Sequence, residues 1–201
     1  MLRVAITGGL STGKSTVTAL LAQLGVPTIS ADEVGHRMLA RGTTCYDKVV
    51  SSFGEGILSR DGNIDRALLG AVVFADTRKR RLLESLLHPA IWEEIEEWCR
   101  QHSERGACLV AMEVPLLFEA KLEQAVDEIW LVVCNPDLQL SRAIARGMTH
   151  EEAQTRIGAQ MPLAEKARYA HRVIDTGGSP DATYAQVRKA LESICVHKAP
   201  E

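Results

Sequence analysis

Aromatic side chains are scarce: three Trp, three Tyr and three Phe make up 4% of 201 residues. So few rings argue against a surface that stacks nucleobases. An excess of basic charge is also missing, since the formal net charge is −3 and the pI is near 6.1. That balance argues against binding of nucleic acid through a basic face. The five cysteines (45, 99, 108, 134 and 195) form no C-x-x-C pair. Their odd number and wide spacing speak against zinc or a disulfide framework and for reduced, mostly buried thiols in a cytosol. No apolar run is long enough to span a bilayer. The N-terminal apolar run is only a strand long and leads into a glycine-rich turn, unlike a signal peptide. A cytoplasmic protein with neither membrane nor nucleic acid as partner is expected.

What is present starts with Gly8-Gly9-Leu10-Ser11-Thr12-Gly13-Lys14-Ser15, a match to G-x-x-x-x-G-K-[ST]. Upstream, Leu2-Arg3-Val4-Ala5-Ile6 suits a buried strand. Downstream, Val17, Leu20, Leu21 and Leu24 recur at helical spacing, and Gly25 is placed to end that helix. Glycines let such a loop curl so that successive N–H groups point at phosphate oxygens, and the helix start adds partial positive charge there. Gly9, Ser11, Thr12, Gly13, Lys14, Ser15 and Thr16 are therefore the candidate nucleotide-binding residues. Lys14 reaches the β- and γ-phosphates in this motif, and the Ser15 hydroxyl completes a Mg²⁺ shell. The motif predicts a nucleoside triphosphate, with Mg²⁺, as ligand.

The length suits one α/β domain with a small helical insertion. Strands are expected at 26–30, 108–112, 128–134 and 172–175, the third and fourth strands of the chain being nearly continuous in apolar residues. Helices are expected at 32–39, 136–146, 150–160 (with Thr149 as N-cap) and 181–195, followed by a frayed tail after Val196. Short helices broken near 53–56 and 61–63 fill the stretch up to Phe74. Asp76 can cap the next helix, and Pro89 is expected to split it at His88. Strand–helix alternation after a phosphate loop predicts a P-loop α/β/α three-layer sandwich around a five-stranded parallel sheet. Its core would comprise 1–42, 104–140 and 171–201, with a helical insertion at 43–103.

Other side chains suit phosphoryl transfer. Asp32 lies just past a strand's carboxyl end, where a carboxylate can take the proton of an attacking hydroxyl. Ser30-Ala31-Asp32-Glu33 also fits a capping box, in which Asp32 merely complements a helix dipole; spacing leaves both readings open. Asp32-Glu33-Val34-Gly35 fits D-x-x-G, but no [NT]-K-x-D follows anywhere to read guanine, which argues against a switch GTPase. Gln139, Arg142 and Arg146 share one helix face, and Arg156 and Gln160 pair on the next helix. Arginines aimed at the phosphate loop would neutralise charge on the transferring group; otherwise the face is simply solvated. Glu113 ends a strand, where it either holds a water on Mg²⁺ or faces solvent. His88 defaults to a structural role.

The chain resembles the dephospho-CoA kinase family over nearly its whole length. Beyond the phosphate loop, the shared elements are Ala31-Asp32, Phe53-Gly54, Gly62 with Asp65-Arg66, Val73-Phe74 and Leu87-His88-Pro89. Pro115-Leu116-Leu117-Phe118-Glu119, Gln139 with Arg142 and Arg146, and Arg156-Ile157 with Gln160-Met161 complete the pattern. The resemblance implies ATP-dependent phosphorylation of the ribose 3′-hydroxyl of dephospho-CoA, and a monomer is expected. It implies Asp32 as general base, Lys14, Arg142 and Arg146 on the transferring phosphate, and Arg66 and His88 beside the acceptor. It assigns the helical insertion to the acceptor and residues 141–165 to a lid. Ser11-Thr12, Glu113, Gly147, Ala170-His171 and Asp175-Thr176 depart from the usual residues, the last pairs in a region that borders the adenine. Another nucleoside or nucleotide kinase, or a nucleotide-binding module without catalysis, are the competing readings.

Overall fold

The structure is a computed structural model and describes residues 1–196. In chain order its elements are β1 (Leu2–Gly8), α1 (Lys14–Gln23), β2 (Thr28–Ser30), α2 (Ala31–Met38), α3 (Thr44–Phe53), α4 (Arg66–Ala75) and α5 (Thr77–Glu104). They continue with β3 (Leu109–Glu113), β4 (Glu128–Val133), α6 (Pro136–Ala145), α7 (His150–Gly158), α8 (Leu163–Lys166), β5 (Arg172–Asp175) and α9 (Pro180–Val196). The chain divides into two compact units, one comprising Met1–Ser30 with the stretch from His102 onward, the other Ala31–Gln101.

In the first unit the strands form one parallel sheet in the order β2-β3-β1-β4-β5. Val4 and Ile6 of β1, Ala111, Trp130, Val132 and Ile174 pack with Val17 and Leu21 of α1 and Val187 and Ala190 of α9. The alternate residues Ala5, Val110, Met112, Ile129 and Leu131 are buried as well. Because side chains alternate across a strand, both faces of the sheet are covered. Hence the apolar runs in the sequence are nearly unbroken. β1 sits at the sheet's centre, so the loop that follows it emerges between the carboxyl ends of β3 and β4.

The second unit is helical around Cys45, Val49, Ile57, Leu69 and Leu87. Pro89 does not split its last helix: α5 runs unbroken from Thr77 to Glu104. The apolar stripe explains why. Leu83, Leu87, Ile91, Ile95 and Cys99 recur every four residues across the proline, and burial of that face outweighs the local cost of a missing N–H. Asp76 caps the helix as expected, its Oδ1 accepting from Arg78 N at 2.8 Å. β2 is shorter than the apolar run suggests, because Val26 N returns to Leu21 O and closes the end of α1. The side chain of Cys195 and the tail after Val196 lie outside what is described; Cys45, Cys99 and Cys134 are buried and Cys108 is exposed, and none of these four is in a disulfide.

Candidate active site

The phosphate loop joins β1 to α1 with Gly13 at the N-cap, φ +94°, and Ser11 in the left-handed region at φ +56°. Helices α3, α4, α6 and α7 are capped by the side chains of Thr43, Asp65, Asn135 and Thr149, but α1 has no side-chain cap. A helix start so presented is an anion site. Lys14 folds back over the loop: it is 8% exposed, and its Nζ donates to Gly9 O at 2.8 Å and Gly8 O at 3.5 Å. Thr12 Oγ1 donates to the same Gly9 carbonyl at 3.0 Å. Ser15 and Thr16, in the first turn of α1, are exposed.

Residues from the sheet's carboxyl edge surround this loop. Glu113, the last residue of β3, accepts from Thr18 Oγ1 of α1 at 3.1 Å. The spacing of Gln139, Arg142 and Arg146 puts them on one face, yet their partners differ. Gln139 is buried, with Nε2 donating to Leu10 O at 2.8 Å. Arg142 directs Nη1 to Thr176 Oγ1 at 2.9 Å and Nη2 to Thr176 O at 2.8 Å. Arg146 is the exposed C-cap of α6. Cys134, between β4 and α6, has its thiol pKa pushed up by burial, against the pull of the Arg142 charge.

Three features here were not anticipated. Thr176, buried just after β5, donates from Oγ1 to Thr12 O at 2.6 Å and thereby links Arg142 to the phosphate loop. Its methyl and hydroxyl press on Gly13, where an added Cβ would lie 3.0 Å from Thr176 Oγ1. Gln160 accepts the Leu10 N–H at Oε1, 2.8 Å away. Lys166 is wholly buried on α8, with Nζ 2.9 Å from Glu119 Oε1 and 3.5 Å from Pro115 O. Glu119 Oε1 also accepts Met161 N at 3.1 Å, so the Pro115–Glu119 turn is tied to the segment after α7. A lysine followed 47 positions after its carboxylate leaves no local signal; the position of Thr176 just past a strand's carboxyl end is one that could have been used.

In the second unit a cavity of about 260 Å³ is lined by Asp32, His36, Arg66 and an apolar wall that includes Leu39, Leu69, Val73 and Leu87. Asp32 and Arg66 sit in the first turns of α2 and α4, and both line the cavity. Arg66 Nη2 donates to His36 Nε2. His88 is exposed on α5 and is not in the lining. An anionic, partly apolar molecule suits such a cavity: the guanidinium meets negative charge and the wall meets hydrocarbon or a ring.

The model of the dephospho-CoA kinase family matches residues 2–181. The chain belongs to the dephospho-CoA kinase family. A dephospho-CoA kinase from Symbiobacterium thermophilum is 44% identical over 193 residues, which cover 96% of this chain and 81% of that protein. Among solved structures, TT1252 from Thermus thermophilus superposes with a TM-score of 0.83 at 32% identity, covering 99% of this chain and 98% of that one. A shikimate kinase from Acinetobacter baumannii, with a TM-score of 0.52, 16% identity and coverage of 100% and 96%, shares the fold alone. The expected P-loop kinase architecture is therefore the one found.

Proposed function

We propose that this chain transfers the γ-phosphoryl group of ATP to the ribose 3′-hydroxyl of dephospho-CoA, giving CoA and ADP in the final step of coenzyme A synthesis. The observation that carries the reading is the family match across residues 2–181, within which Lys14, Ser15, Asp32, Arg66, Arg142 and Arg146 all occur. The loop amides and the α1 N-terminus hold the polyphosphate. Lys14, already bonded to loop carbonyls, moves its ammonium onto the β- and γ-oxygens and offsets the charge of the transferring group. Arg142 and Arg146, in the proposed lid of residues 141–165, add positive charge to the same group. Asp32, in the first turn of α2 ahead of the acceptor-binding insertion, takes the 3′-hydroxyl proton as the new O–P bond forms and the β–γ bridging bond breaks. Arg66 binds the acceptor's phosphates, with His36 holding the guanidinium, and His88 contributes at the acceptor side.

The donor set fits Mg²⁺. Ser15 offers a hydroxyl and Glu113 a carboxylate, both hard oxygen ligands, and no group of three or more His, Cys, Asp or Glu among the described residues forms a cage. Mg²⁺ takes one or two protein oxygens together with substrate phosphates and water. Ser15 would hold it directly and Glu113 through water; when bound it neutralises charge on the β- and γ-phosphates. We place the reaction in the cytoplasm, carried out by a monomer; among the described residues no helix is long and apolar enough to cross a membrane.

The test is ATP consumption with dephospho-CoA, AMP, CMP or adenosine as acceptor. Turnover with dephospho-CoA alone is expected. Preference for any of the other three would replace the assigned acceptor, and no turnover with any would leave a nucleotide-binding module.

A further inference from the structure

The phosphate loop is shaped by side chains outside the motif. Gln139 from α6 donates to Leu10 C=O, and Gln160, two residues beyond α7, accepts Leu10 N–H, each at 2.8 Å. One residue's backbone is thus gripped on both sides. In a trans peptide the N–H and C=O point in opposite directions, and no cis bond occurs among the described residues. Holding Leu10 C=O toward Gln139 therefore turns the Ser11 N–H the other way. Thr176 does the same two peptides further on, since its bond to Thr12 C=O turns the Gly13 N–H away from it. The two residues so presented, Ser11 and Gly13, are those with φ at +56° and +94°; glycine takes such an angle freely, but serine holds it only where its surroundings enforce it. Gly9 is part of the fit: an added Cβ there would stand 2.7 Å from Gln139 Nε2.

We propose that Gln139 and Gln160 are positioning residues for the phosphoryl donor, fixing the Leu10 backbone so that the loop amides face the polyphosphate. Gln160 also carries the position of the segment after α7 to the loop. The proposal rests on the reading that this loop holds ATP.

The two amides work with opposite polarity. Gln139 faces a carbonyl and must present its NH₂; Gln160 faces an N–H and must present its oxygen. Glutamate has the shape of glutamine but only accepts. At 139 it removes the donor and sets a carboxylate against a carbonyl in a site only 4% exposed. At 160 it keeps the acceptor.

The experiment measures kcat and both KM values for alanine and glutamate variants at each position, with ADP affinity by calorimetry and Tm by circular dichroism. Gln139→Glu should raise the KM for ATP by about tenfold or more and exceed Gln139→Ala, the scale of one lost buried hydrogen bond. At 160 the order reverses, with Gln160→Ala the more damaging. The KM for dephospho-CoA should move little in all four. Should Gln139→Glu fail to fold, Gln139→Met keeps the length without the donor and should still raise the ATP KM. Equal effects of alanine and glutamate at both positions would overturn the proposal, as would losses confined to Tm or to the acceptor's KM. Absence of wild-type turnover in the same assay would instead remove the kinase reading, while the ADP affinities still report on the bracket.

Discussion

Asp32 separates a catalytic role from a structural one more cleanly than any other residue here. It is exposed in the first turn of α2 and lines the cavity beside Arg66, so its carboxylate is available to a hydroxyl. Asp32→Asn keeps the shape and removes the base. Its kcat should fall by about 10²- to 10⁴-fold, with Tm and ADP affinity unchanged. A variant that melted earlier at an unchanged rate would make Asp32 a helix-dipole residue only. The strand, loop and helix around Gly13 and Lys14 were legible in the sequence because a phosphate loop is a local pattern. Partners were not. Helical spacing put Gln139, Arg142 and Arg146 on one face, but the first bonds Leu10, the second Thr176, and the third caps its own helix. Thr176 meets Thr12 across 164 residues, a separation at which sequence spacing holds no information.

At the scale of elements, legibility followed length and chemistry. Thr149 reads as an N-cap from its type and spacing, and α7 opens with the full box: Thr149 Oγ1 accepts Glu152 N at 3.2 Å, and Glu152 Oε2 accepts Thr149 N at 2.9 Å. α8, four residues long, shows no periodicity and was missed, and with it the burial of Lys166. Pro89 misled because a local rule was applied where a five-residue apolar stripe crosses the site. The turn at 59–63 is a better-behaved local unit. Asp61 Oδ1 accepts from Ser59 Oγ at 2.5 Å and Oδ2 from Asn63 Nδ2 at 2.8 Å, beneath the antiparallel bridge of Leu58 with Ile64. These bonds favour the charged form, the one to Ser59 most, and lower the Asp61 pKa from 3.8 to about 2. The folded pKa is the lower one, so the turn's contribution is complete above pH 3.8 and disappears as pH falls through about 2. Carboxyl-carbon NMR should find the Asp61 midpoint near 2, and Asp61→Ala should abolish acid melting of the turn in that window. A midpoint at the ordinary aspartate value would show that the turn does not hold the carboxylate.

For the whole molecule, the proposed Mg²⁺ requirement turns on where oxygen ligands stand. The described residues contain no group of three or more acidic, histidine or cysteine side chains able to cage an ion, whereas Ser15 lies in the first turn of α1 and Glu113, at the end of β3, bonds Thr18 of the same helix. In the proposed mechanism the divalent cation enters with the nucleotide, held mainly by its phosphates. Chelation with EDTA should stop turnover completely, and excess Mg²⁺ should restore it. Without nucleotide, the Tm should be the same with and without EDTA. With saturating ATP the protein should gain stability by mass action, about 2.7 kcal/mol at a hundredfold excess over Kd, and EDTA should shrink that gain by weakening the nucleotide's hold. A chelator-induced drop in Tm in nucleotide-free protein would reveal an ion bound to the fold itself. Turnover that survives EDTA would remove Ser15 and Glu113 from the proposed mechanism and leave Lys14 with the arginines to carry the phosphate charge alone.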